Sequence, residues 1–190
     1  MIYLDVQHTG QARKPKSMGA SIGDRMDQQE AYWTSLYAFF CEMRLRELGH
    51  KVIRISDGNY KARHERVNWY EDNYPQDKSV YLSCHINAGG GGYSSFFYDS
   101  RSTKGSQLAQ CIADVVCDLP HLSTVKCIEA RKGDWTKNAF ATIAGVQPVA
   151  ICAEPFFIDN ETHQHYLSID QIKLLGQAMA DGIDLWYNQN

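Results

Sequence analysis

Apolar positions along the chain recur in two rhythms, short unbroken runs and longer stretches of helical period, and the two alternate. Ile2-Tyr3-Leu4-Asp5-Val6 is the first run, of strand length, and it stops abruptly at Gln7-His8-Thr9-Gly10. Residues 9 to 29 lose the period and carry Gly10, Pro15, Gly19 and Gly23, which predicts a long loop. From Asp27 or Gln28 the helical period begins, with Tyr32, Trp33, Leu36, Tyr37, Phe39, Phe40, Met43, Leu45 and Leu48, and Gly49 closes it. Lys51-Val52-Ile53-Arg54-Ile55 predicts a second strand, and residues 61 to 74 a helix whose apolar face is Val67, Trp69 and Tyr70, ended by Pro75. Val80-Tyr81-Leu82-Ser83-Cys84 is almost wholly apolar, as a central parallel strand should be. Ser94 to Tyr98 predicts a fourth strand and Thr103 to Leu119 a helix. Residues 123 to 131 predict a short edge strand leading to Arg131, and residues 136 to 144 a short strand or turn. Val149-Ala150-Ile151-Cys152-Ala153 is another central strand, and a last helix runs from Ile169 to Tyr187 after Ser168. This alternation predicts an α/β fold: a single three-layer domain over residues 1–190, with a mostly parallel, mixed, twisted sheet of about six strands flanked by helices.

Composition narrows the classes of function. A net charge of -3 argues against a general nucleic-acid binder, which needs a basic face to neutralise phosphates. No run approaches the roughly 20 apolar residues of a membrane span, and no signal peptide opens the chain, so synthesis in the cytoplasm without membrane insertion is expected. The six cysteines lack CxxC spacing and fall mostly in apolar segments, as buried thiols of a reducing compartment do.

The candidate chemistry sits where strands end. His8, His85 and Glu154 each follow an apolar strand, and Glu30 opens the helix after the first; a parallel sheet gathers all four at its carboxyl edge. Two imidazoles and a carboxylate are a common catalytic zinc shell, and a second carboxylate off the metal can act as base. Each residue alone has a plain alternative, a hydrogen-bonded histidine or a helix-dipole glutamate. Asp5 either orients His8 or faces a neighbouring strand. His163 and His165 read as solvated, and His50, His64 and His121 have no partner visible in the sequence. Trp33, Tyr37, Phe39 and Phe40 read as core. Gly89 to Gly92 reads as a flexible loop beside the site or a plain linker.

The motifs together resemble those of the zinc-dependent N-acetylmuramoyl-L-alanine amidases of the Amidase_3 type, cell-wall hydrolases of bacteria and phage endolysins. Leu4-Asp5-Val6-Gln7-His8-Thr9-Gly10 is similar to the family's LDxGHGG, Ser83-Cys84-His85-Ile86-Asn87-Ala88 to SxHxNA, and Glu154-Pro155-Phe156-Phe157-Ile158-Asp159-Asn160 to its ExGFxSN segment. The resemblance implies Zn²⁺ ligation by His8, Glu30 and His85, general base and acid work by Glu154, and substrate contacts from Asn87 and Arg131. It implies hydrolysis of the amide between N-acetylmuramic acid and L-alanine in peptidoglycan. A monomer is expected, and with no signal peptide the expected route to the wall is release through a phage holin pore, with fusion to an exported partner as the alternative. A zinc peptidase cutting within the stem peptide and a catalytically idle wall-binding module are the competing readings. Gln7 and Pro155 stand where the family carries glycine, so site shape is expected to differ there.

Overall fold

A strand with helices on both faces is buried along its whole length, and two of the chain's runs satisfy this: every residue of Ile2–Val6 and of Val80–Cys84 is buried, Asp5 and Ser83 included. The computed structural model describes residues 1–8 and 19–190. Its strands are β1 (Ile2–Val6), β2 (Val52–Ile55), β3 (Val80–Cys84), β4 (Ser94–Asp99), β5 (Val125–Ala130) and β6 (Val149–Glu154). Its helices are α1 (Glu30–Glu47), α2 (Tyr60–Asn73), α3 (Thr103–Val116), α4 (Lys137–Ile143) and α5 (Ile169–Gln189). Much of the loop expected over residues 9 to 29, with Thr9, Gly10 and Pro15, lies outside the described residues; the part that follows holds a 3₁₀ turn at Met26–Gln28.

One sheet runs in the order β2-β1-β3-β6-β4-β5. All adjacent pairs are parallel except β4 with β6. The exception has a simple cause. Residues 85 to 93 are too few for a crossover, which takes a dozen residues or more, so β4 must return in the opposite direction. The register places Val6 beside Cys84 and Cys84 beside Ala153, so the chain leaves β1, β3 and β6 at one level of one edge.

Side chains alternate across the sheet. Ile2, Leu4, Val6, Leu82 and Ile151 join the core under α1, α3 and α5, whereas Tyr3, Ile55 and Tyr81 pack on Val67 of α2, and Phe97 and Cys152 on Ala139 and Ile143 of α4. Helix α5 crosses its neighbours closely. A Cβ at Gly176 would lie 2.6 Å from the Tyr37 carbonyl oxygen, and one at Gly182 2.6 Å from Ile112 Cα.

Three expectations are corrected. Residues 136 to 144 contain helix α4, not a strand or turn. Ala139, Ala141 and Ile143 mimic a period of two, but the buried pair Ala139 and Ile143 is spaced i, i+4, and seven residues are too few to separate the two periods by pattern. Trp69 is 52% exposed and does not face the core; at 100° per residue it points some 200° from Val67. Phe39 and Met43 are likewise exposed, because α1 buries the stripe Trp33, Tyr37, Cys41 and Leu45.

Below the carboxyl edge, a buried ion pair ties β1 to α2. Arg63 Nη1 lies 2.8 Å from Asp5 Oδ1, with side chains 1% and 0% exposed. The guanidinium also donates to the carbonyls of Gly58 (2.9 Å) and Ser56 (3.0 Å). Asp5 accepts in addition from the Tyr81 hydroxyl and the Gln7 amide. Arg63→Met would leave that carboxylate uncompensated in the interior, which costs about 3–5 kcal/mol. The expected outcome is a matching fall in unfolding free energy, read from urea denaturation of the two proteins.

Candidate metal centre and catalytic cleft

Glu30 opens α1 with its carboxylate buried, and the backbone around it is built to receive that charge. Its Oε2 accepts from the Ala20 N–H at 2.7 Å and its Oε1 from the Ile86 N–H at 3.0 Å. Gly19, at φ 80°, leaves room for it: a Cβ there would stand 2.2 Å from Oε2. Two histidines converge on Oε1, His85 Nδ1 at 3.1 Å and His8 Nε2 at 3.5 Å. Burial alone would raise the Glu30 carboxyl, but the His85 hydrogen bond and the His85 and His8 charges outweigh it and hold the group below its ordinary range. For His85, burial opposes protonation and the Glu30 contact overcomes it, so its pKa is raised. The Tyr37 hydroxyl donates to the His85 carbonyl at 3.2 Å and fixes the end of β3.

The donor set fits a metal. One donor atom from each of His8, Glu30 and His85 lies within 4.8 Å of the others, so the three could hold an ion. Tetrahedral zinc with bonds of about 2.0–2.1 Å spaces its ligand atoms by about 3.3 Å. The two separations at Glu30 Oε1, 3.1 and 3.5 Å, bracket that value. Moreover, His85 Nε2 is buried with no hydrogen-bond partner among the described residues, so this imidazole has unspent capacity. Cys84 and Cys152 are not part of this cluster. Burial pushes the Cys84 thiol up to about 12 and the Cys152 thiol well above its ordinary value.

Glu154 ends β6 in a different environment. Burial raises its carboxyl, the nearby Glu30 adds to the rise, and the His85 charge opposes it. Asn87 Nδ2 donates to Glu154 Oε2 at 2.5 Å, so Asn87 is brought to the site as the first neighbour of this carboxylate. Two clefts meet at Asn138. One, of about 480 Å³, contains Glu154, Asn87, Tyr93, Phe157, Trp135 and Thr136. The other, of about 370 Å³, contains His8, His85, Gln7, Asn59, Tyr60 and Thr142.

The remaining expectations sort as follows. Arg131 is not brought together with the four residues: its side chain is exposed and pairs with Glu129, although its N–H donates to Thr136 Oγ1. Asp5 faces α2 and β3, where Arg63 and Tyr81 take its oxygens. Gln7 is bound to Asp5 and to Ser83 Oγ, so the glutamine in the glycine position is wired into the buried pair beneath His8, which itself stands at φ 59°. The Pro155 carbonyl accepts from Ser94 Oγ at 2.7 Å.

The expected flexibility of Gly89 to Gly92 meets a clamp. Asp159 accepts from the N–H groups of Gly89 (2.8 Å) and Gly90 (3.0 Å), and Gly91 lies so close to the Phe157 ring that a Cβ would be 2.4 Å away. His163 is buried rather than solvated, because its Nδ1 accepts from the Phe157 N–H at 3.0 Å. His50 meets Asp184, His64 the Thr142 carbonyl, and His121 the ring of His165. Sequence reasoning missed Trp135, whose signal was a lone aromatic in the polar stretch Gly133-Asp134-Trp135-Thr136, and Gly19, which had no signal beyond being glycine.

The Amidase_3 model, described as N-acetylmuramoyl-L-alanine amidase, matches residues 2–184. Among solved structures, Cwp6 from Clostridium difficile is 20% identical with a TM-score of 0.76; the match covers 96% of this chain and 28% of that one. The N-acetylmuramoyl-L-alanine amidase AmiC2 of Nostoc punctiforme is 17% identical with a TM-score of 0.74, covering 100% and 97% of the two chains. The catalytic domain of the CD27L endolysin targeting Clostridia difficile is 22% identical with a TM-score of 0.58, covering 94% and 95%. No curated protein matches the chain by sequence. These structures share the fold, and the family model spans nearly the whole length: the chain belongs to the N-acetylmuramoyl-L-alanine amidase family Amidase_3.

Proposed function

We propose that the chain cleaves the amide between N-acetylmuramic acid and the L-alanine of the peptidoglycan stem peptide, with Zn²⁺ held by His8, Glu30 and His85 and with Glu154 as general base and acid. The observation that carries this reading is the pairing of a three-donor cluster with a carboxylate of raised pKa at the end of β6, the strand beside β3. When bound, zinc supplies hydroxide near neutral pH and polarises the scissile carbonyl. The protein's own groups do the rest. Glu30, held ionised by its histidines and by the N–H groups of Ala20 and Ile86, offers a deprotonated, oriented ligand. Glu154 takes the proton of the attacking water on its carboxylate and delivers it to the departing nitrogen. Its raised pKa makes it a better base than a solvated glutamate and lets it hold the proton between the two transfers. Asn87 keeps Oε2 in place during both.

The chain would act as a monomer. No described helix is long and apolar enough to cross a membrane, and release through a phage holin pore is the proposed route to the wall.

Digestion of purified peptidoglycan should expose new amino-terminal L-alanine, detected by mass spectrometry; cuts confined to the stem interior would instead identify a zinc peptidase. Glu154→Gln should lower kcat by about 10²–10⁴-fold while zinc content, measured by atomic absorption, stays at the wild-type level. His85→Ala should lose the metal; equal metal loss in Glu154→Gln would overturn the division of roles.

A further inference from the structure

The two clefts that meet at Asn138 differ in chemistry, and the direction of proton transfer assigns them to different halves of the substrate. We propose that the Glu154 cleft is the subsite for the stem peptide, with Trp135 its principal contact. This rests on the amidase reading above. In amide hydrolysis the water oxygen bonds to the acyl carbon, the C–N bond breaks, and the proton taken from water ends on the departing nitrogen. Glu154 carries that proton, so the nitrogen must come within hydrogen-bond reach of it, about 2.6–3.2 Å. The chain attached to that nitrogen is the peptide. It therefore extends into the cleft that contains Glu154, while the acyl half, with its sugar, stays on the side of His8 and His85.

The lining supports the same assignment. Trp135 is 72% exposed, yet its ring sits edge-on to Phe97 at 6.1 Å, so it is a held platform rather than a stray surface residue. Opposite, Tyr93 stands edge-on to Phe157 at 5.0 Å, and Phe157 is kept in place by the Gly91 contact and the His163 bond. Apolar rings interspersed with the side-chain amides of Asn87 and Asn138 suit small side chains alternating with peptide groups. Charge points the same way. Lys126 Nζ lies 3.5 Å from the Tyr93 ring centre and places a cation beside this cleft. A peptide ends in a carboxylate, whereas a muramic glycan whose lactyl carboxyl is bound in the amide brings no anion there.

Steady-state kinetics on muropeptides with stems of two and four residues test the assignment, with release of amino-terminal L-alanine as the assay. For the wild-type enzyme kcat/KM should rise about 10-fold from the shorter to the longer stem, because binding energy from remote parts of a substrate is expressed at the reacting centre. In Trp135→Ala the rise should fall to about 2-fold or less, while the dependence on glycan length stays as in the wild type. Trp135 is exposed, so this variant keeps its fold, and the ratio within one variant cancels any general loss. The proposal is overturned if the wild type ignores stem length, if Trp135→Ala keeps the rise, or if the loss falls on glycan length instead. Absence of new amino-terminal L-alanine from either substrate would be a separate result, against the amidase reading itself.

Discussion

The register of three parallel strands is the constraint on which the rest of the structure depends. Because Val6, Cys84 and Ala153 stand level, the chain leaves β1, β3 and β6 side by side, and whatever follows them is delivered to one place. A slip of one residue in any pairing would turn that strand's side chains to the other face and drag its functional residue off the edge. Buried apolar side chains on both faces make such a slip costly. The Asp5–Arg63 pair adds a polar lock, since its geometry is met at a single alignment of β1, β3 and α2.

Placed at this edge, two glutamates acquire opposite characters. Glu30 is enclosed by donors, two backbone N–H groups and two imidazoles, and is driven towards the ionised state. Glu154 has one amide donor and the Ser95 hydroxyl, with a second negative charge nearby, so burial dominates and its proton is held more tightly. Environments that push like groups apart are how one site holds both a ligand and a proton carrier. The proposed division of labour is thus already present in the protein's own electrostatics.

How far the sequence disclosed this can be judged residue by residue. The strands were readable because central parallel strands are almost wholly apolar, and the histidines and Glu154 stood out because each follows such a run at its end. Glu30 was readable from the start of a helical period. Phase was harder. Phe39, Met43 and Trp69 are apolar but point away from the buried stripes, and only counting in 100° steps from Tyr37 or Val67 exposes them. Residues 137 to 143 were ambiguous because a short helix rich in alanine also fits a period of two. Contacts such as Gly19 with Glu30, Asp159 with the glycine loop, or His163 with the Phe157 backbone join parts of the chain whose approach no local pattern encodes.

The brevity of α4 has a consequence for the kind of material the protein can accept. Its seven residues make a rod of about 10 Å, set over strands such as β6 whose six residues run about 20 Å. The cleft beside it, lined by Glu154, Asn87, Trp135 and Ala139, is open along one side, a trough and not a tunnel. A polymer tied into a net at many points has no end to thread, so only a trough can be laid across it from the side. A helix that ends at Ile143 leaves this side open, and with it the approach of an intact meshwork.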